Sequence, residues 1–154
     1  MAAYFTDSSA VVKRYVKEPG SAWVVSLFTA APANDIIVVA LTGVEVVAAM
    51  TRRTRSGTIT PVDAAAACTL FVSDLGVDYQ VVAVTDNLLQ QAMKLAQLHS
   101  LRGYDAVQLA AGVETNRFRL AVGLTPLIFV SADRELNAAA LAEGLAVDDP
   151  NVHP

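Results

Sequence analysis

The sequence predicts a three-layer α/β/α sandwich on a mostly parallel central sheet, and three observations predict it. Strand-like and helix-like segments alternate along nearly the whole chain of 154 residues. The strand candidates, "DIIVVA" (35–40) above all, are rich in β-branched residues with no polar alternation, as strands buried on both faces read. The helix candidates carry recognisable start and stop residues. Strands that alternate with helices in this way build a parallel sheet covered by helices on both sides.

The elements follow in order. "AYF" (3–5) is a short strand, and "SAVVKRYVK" (9–17) places Val12, Tyr15 and Val16 at helical spacing. "PG" (19–20) interrupts before a second helical stretch at 21–31. After the strand at 35–40, a helical pattern runs from Leu41 to about Arg55, where Gly57 stops it. "TPVD" (60–63) has the chemistry of a helix start, with Thr60 as cap and Pro61 at the first position. That alanine-rich helix ends near Gly76, "YQVVAV" (79–84) is the next strand, and Thr85 caps a helix to about His99. Gly103 opens another helix through about Thr115. "PLIFVSA" (126–132), "DRELNAAALAE" (133–143) and "LAVDD" (145–149) complete the pattern as strand, helix and strand. Residues 1–149 are expected to form one domain, with 150–154 a flexible tail.

Composition narrows the function. Counting glycine in place of tyrosine, roughly 56% of the chain is apolar against the ordinary 45–50%. That surplus points to apolar surface buried between subunits. The longest stretch without Lys, Arg, Asp or Glu, 19–34, contains Pro19, Gly20, Pro32 and Asn34 and is unsuited to crossing a bilayer. The first residues lack the pattern of a secretory signal, and Cys68 is the only cysteine, so a cytoplasmic protein without internal disulfides is expected. A net charge of −4 argues against a protein coated in Lys and Arg for nucleic acid, yet its cations are clustered. Lys13, Arg14 and Lys17 form one group and Arg52, Arg53 and Arg55 another. Taken singly, each group reads as a solvated helix face.

Functional residues of an open parallel sheet gather beyond the carboxyl ends of its strands. Asp7 follows the first strand directly, Asp86 the third, and Asp133 the fourth by two residues. Glu45 lies in the first turns of the helix after the second strand, and Asp105 opens the helix at Gly103. Acids at these places also cap helices and favour the positive end of the helix dipole. For Asp7 and Asp133 capping and function balance evenly; for Asp86, beside Thr85, capping is favoured. Glu45 is the only charged residue between Asp35 and Arg52, among residues that otherwise read as core. Converging carboxylates raise each other's pKa unless a cation neutralises them. Mg2+ and Mn2+ prefer such oxygen ligands, and a site of that kind suits phosphodiester hydrolysis. No zinc-type Cys/His spacing, GxxxxGK[ST] or GxGxxG is present.

The segments "TDSSAVVKRYVKE", "LTGVEVVAAM", "LRGYDAVQLAAGVE" and "FVSADREL" occur in an order and spacing that resembles the PIN domain. They are most similar to VapC-type toxins of toxin–antitoxin pairs, over Asp7 to about Ala142. The resemblance implies an endoribonuclease dependent on Mg2+ or Mn2+, with the family's acids falling on Asp7, Glu45, Asp105 and Asp133. Ser131 matches a small hydroxyl residue two before the last acid, and Ser9 a polar position near the first. Asn137, on the same helix face as Asp133, stands where the family often has a further acid or Asn. The resemblance also implies a homodimer and an antitoxin whose segment enters the acidic groove. RNA would approach along Lys13, Arg14, Arg52, Arg53 or Arg102.

Rival readings fit less well. A phosphotransferase of the haloacid-dehalogenase kind wants a second Asp two residues after the first, where this chain has "DSS". A receiver-like domain wants paired acids at the first strand and a late Lys, where Asp133 stands instead. A catalytically silent PIN-like module that only binds a partner remains an alternative, although all four acids are in place.

Overall fold

The computed structural model describes residues 1–153. Five strands, β1 (Ala3–Thr6), β2 (Asp35–Val39), β3 (Gln80–Val82), β4 (Ile128–Val130) and β5 (Ala146–Asp148), form one sheet. Their order is β3-β2-β1-β4-β5, and every pairing is parallel. The helices are α1 (Ser8–Tyr15), α2 (Ser21–Thr29), α3 (Leu41–Arg55), α4 (Pro61–Leu75), α5 (Asp86–His99), α6 (Gly103–Ala121) and α7 (Arg134–Ala142). None is long and apolar enough to cross a membrane.

The unpatterned β2 run is apolar because each face meets a different core. Ile36 and Val38 pack with Val11, Val46, Met50 and Phe71 from α1, α3 and α4. Ile37 and Val39 pack on the other side with Leu88, Leu109 and Leu136 from α5, α6 and α7. Phe5 and Phe129 stack at the centre of this second core, their ring centroids 5.5 Å apart. From β1 the chain moves outward through β2 and β3, then crosses back to place β4 on the other side of β1. The carboxyl ends of β1 and β4 therefore flank the point where strand order reverses, which is where such sheets open a crevice.

Capping signals act as read: Thr60 accepts from the Asp63 amide with Pro61 at the first helical position, and Thr85 accepts from Leu88. Three expectations need correction. The helix from Gly103 continues past Thr115 to Ala121, since nothing before Gly123 in the sequence breaks it. Residues 150–153 are held rather than loose. Pro150–Val152 form a 3-10 turn, Pro150 is buried, and the His153 ring stacks on Trp23 with centroids 4.1 Å apart. Gly20 makes this docking possible: at φ +84° it has no side chain, and a Cβ there would lie 2.1 Å from the Pro150 carbonyl oxygen. Pro154 lies outside the described residues.

The third correction concerns Lys13 and Arg14, which are not on a solvated face, whereas Lys17 is exposed as expected. Lys13 is only 5% exposed, its ammonium donating to the Pro19 carbonyl at 2.9 Å with Glu18 at 3.5 Å. Arg14 lies between Asp74 and Asp78 over the Phe28 ring.

Candidate active site

Asp7 stands where β1 passes into α1. Its extended backbone makes it the N-cap, and Oδ1 accepts from the Ala10 amide at 3.1 Å. Oδ1 also accepts from the Ser9 hydroxyl at 2.6 Å, and Oδ2 from the Ser131 hydroxyl at 2.9 Å. Each hydroxyl has one proton to give, so the serine oxygens are free to accept from the neighbouring turn. Ser9 Oγ accepts the Ala132 amide at 2.9 Å and Ser131 Oγ the Asp133 amide at 3.0 Å. These bonds tie the β1–α1 junction to the β4–α7 junction.

Asp133 caps α7 in the same manner, Oδ1 accepting from the Glu135 and Leu136 amides at 2.9 and 3.1 Å. Its Oδ2 accepts from Arg102 Nη2 at 3.3 Å, and Arg102 Nε donates to Asp105 Oδ2 at 3.0 Å. Asp105 lies in the first turn of α6, and Gln108, one turn further, donates to Glu45 Oε1 at 2.7 Å. Glu45 Oε2 accepts from the Ser8 hydroxyl at 3.3 Å. Hydrogen bonds thus link Asp7, Asp133 and Asp105 through Ser131 and Arg102, while Glu45 belongs to a second network with Ser8 and Gln108.

The two networks are unevenly charged. Asp7 is 3% exposed and takes part in none of the salt bridges among the described residues. Burial pushes its carboxyl up to about 6 despite the bonds from Ser9, Ala10 and Ser131, and the Glu45 charge adds to the rise. Burial also raises Glu45, opposed by Gln108 and Ser8, while the like charge of Asp105 raises it further. Asn137 donates from Nδ2 to the Ser131 carbonyl at 2.8 Å, which leaves its Oδ1 buried with no partner.

A buried carboxylate held only by neutral donors is a costly arrangement unless a cation joins it. The donors are all hard oxygens, the set that Mg2+ and Mn2+ favour. The residues present therefore fit such an ion. As they stand, no three Asp, Glu, His or Cys side chains among the described residues are gathered to hold one by themselves.

Of the cations expected near the site, Arg102 lies directly on it. Arg52 is exposed and, with Ser8, Ser9, Glu45 and Tyr104, lines a cavity of about 410 Å3. Arg53 borders the same cavity but is bonded to Glu18. Lys13 and Arg14 are engaged as described above, so of the expected cations Arg52 lines this cavity without an ion pair among the described residues, and Arg102 is paired with Asp105 and Asp133. Ser8 and Gln108 were not singled out from sequence. Their signals were there: Ser8 adjoins Asp7, and Gln108 follows Asp105 by one helical turn.

No protein-family model matches the sequence, and no curated protein does. Solved structures do share the fold, which is the PIN-domain α/β fold. PAE2754 from Pyrobaculum aerophilum superposes with a TM-score of 0.63 at 20% identity, over 98% of this chain and 91% of that one. VapC20 from Mycobacterium tuberculosis, described as a Sarcin-Ricin loop cleaving toxin, gives 0.61 at 19% identity, covering 98% of this chain and 99% of that one. VapBC2 from Rickettsia felis, bound to a DNA fragment from its promoter, gives 0.63 at 10% identity, covering 96% and 98%. At such identities the likeness is one of fold.

Proposed function

We propose that this protein is a divalent-metal-dependent endoribonuclease acting in the cytoplasm as the toxin of a toxin–antitoxin pair. The observation that carries the reading is Asp7: a buried carboxylate without a counter-charge, at the strand-order reversal of a PIN fold, with the Glu45 charge near enough to raise its pKa. The described activity of VapC20 and the toxin–antitoxin character of other fold neighbours support it. Asp7 and Asp105 would ligate Mg2+ or Mn2+ directly, and Asp133 and Glu45 directly or through water. Mg2+ needs only one or two carboxylates, completing its shell with waters and substrate phosphate. Once bound, the ion supplies an activated water nucleophile and neutralises charge on the scissile phosphate.

The chain's own contribution is placement. Ser9 and Ser131 fix both oxygens of Asp7, so the carboxylate has no rotational freedom to lose. Gln108 and Ser8 do the same for Glu45. Arg52 and Arg102 offset the protein's negative charge where RNA phosphates enter. The acidic opening also attracts a basic side chain of an antitoxin. A second copy of the chain is expected over the cleft lined by Val81, Phe118 and Leu124, beside the unpaired edge of β3. Sedimentation of the wild type and of Phe118→Glu checks this, with the variant shifting toward monomer.

The deciding experiment incubates antitoxin-free protein with labelled structured RNAs, a sarcin–ricin loop among them, in Mg2+ or Mn2+. Parallel reactions contain EDTA or an Asp105→Asn variant with unchanged circular dichroism. Cleavage is expected to need both the metal and Asp105. No cleavage of any RNA, together with no divalent-ion binding by calorimetry, would leave a partner-binding module as the better reading.

A further inference from the structure

Arg102 is the cation that would oppose a metal ion at Asp105 and Asp133 as the structure stands. It precedes α6 with extended backbone, and its side chain makes no capping bond. The guanidinium instead reaches forward to Asp105 at 3.0 Å and across to Asp133 at 3.3 Å. It thereby spans two helix starts that no other side chain joins among the described contacts. The side chain is 80% exposed, so nothing but these two carboxylates holds it. Exposed ion pairs of this kind are weak.

A divalent ion that takes Asp105 and Asp133 claims the oxygens the guanidinium now holds, and the two cations repel at such range. One must leave for the other to enter. The displaced arginine remains anchored beside the pocket, and its planar fork of N–H donors matches a phosphate as well as a carboxylate. We infer that Arg102 is a positioning residue that occupies the acidic pocket in the metal-free protein and passes to the substrate phosphate once a divalent ion takes Asp105 and Asp133. This rests on the metal-dependent reading above and adds an order of events to it: ion first, arginine released, RNA phosphate held.

The test titrates the full-length protein with Mn2+ by calorimetry, comparing the wild type with Arg102→Gln and Arg102→Lys. Losing the competing charge should tighten Mn2+ binding by Arg102→Gln about three- to tenfold, while Arg102→Lys stays near the wild type. A purely structural arginine would do the reverse, since its loss would misplace the acids. In steady-state cleavage at saturating Mn2+, the defect of Arg102→Gln should fall on KM for RNA more than on kcat. Mn2+ affinity that is unchanged or weaker in Arg102→Gln overturns the exchange while leaving the metal site intact. Absence of Mn2+ binding in wild type and variants alike overturns the metal-dependent reading itself, and the exchange with it.

Discussion

Asp7→Asn should make the metal-free protein more stable at neutral pH. Burial moves the Asp7 carboxyl from its ordinary 3.8 to about 6. At about 1.4 kcal/mol per tenfold, the folded state then bears roughly 3 kcal/mol for keeping the group ionised at pH 7.5. Asparagine keeps Oδ1 for Ser9 and Ala10, and the Ser131 hydroxyl can turn to accept from its amide. Some geometry is lost, so a net gain of about 1–3 kcal/mol is expected, equivalent to roughly 2–10 °C in Tm for a domain of this size.

The sign with pH follows from the raised pKa. Between about pH 4 and 6 the folded state holds a proton on Asp7 that the unfolded chain has released, so stability falls as pH rises through this window. Above it the penalty is complete; below pH 4 it vanishes. Other carboxylates titrate over the same range, so the quantity to measure is the stability gap between Asp7→Asn and wild type. Urea denaturation in EDTA at half-unit steps from pH 4 to 8 should show that gap opening from near zero and levelling off above pH 6. Adding Mn2+ should then raise the Tm of wild type but not of the variant. A variant less stable than wild type at pH 7.5, with a gap that does not change with pH, would refute the idea that Asp7 is an uncompensated buried charge.

Three further substitutions test other parts of the structure. Arg52→Ala should raise KM for RNA and lower the steepness of its salt dependence, whereas Arg53→Ala, which breaks the bond to Glu18, should leave the salt dependence unchanged; cleavage kinetics between about 50 and 200 mM salt separate them. Gly112→Ala would place a Cβ 2.8 Å from the Phe129 ring, and should destabilise the fold by about 1–3 kcal/mol in chemical denaturation.

Local signals carried most of the architecture. The Thr60–Pro61 and Thr85 starts, the β-branched run at 35–40 and the stops near Gly57 and Gly76 act within a few residues, and each appears where sequence places it. The position of Asp7 and Asp133 just after their strands was legible for the same reason. What was not legible depends on distant partners. Lys13 reads as a surface cation until the chain turns at Pro19 and Glu18 to enclose it. The end of the chain reads as a tail until Gly20 receives Pro150. Glu45 stood out as a lone acid in an apolar run, yet the donors that steady it come from α1 and α6, 37 and 63 residues away.

Capping and metal binding, which compete as explanations of Asp7 in the sequence, are compatible in three dimensions. A carboxylate offers about four lone-pair positions. The cap and Ser9 use Oδ1, and Ser131 uses one side of Oδ2, so Oδ2 retains capacity for a further partner. Asp133 divides its work alike: Oδ1 caps α7 while Oδ2 faces Arg102. In both residues the backbone amides of a helix start hold one oxygen still and thereby aim the other. A ligand anchored this way has little conformational entropy left to lose on binding an ion. On the proposed metal-dependent reading, the helix cap would be the device that preorganises the site. This accounts for a carboxylate at each of these two strand-to-helix junctions, where Ser or Thr would cap as well but could not offer a charged second oxygen.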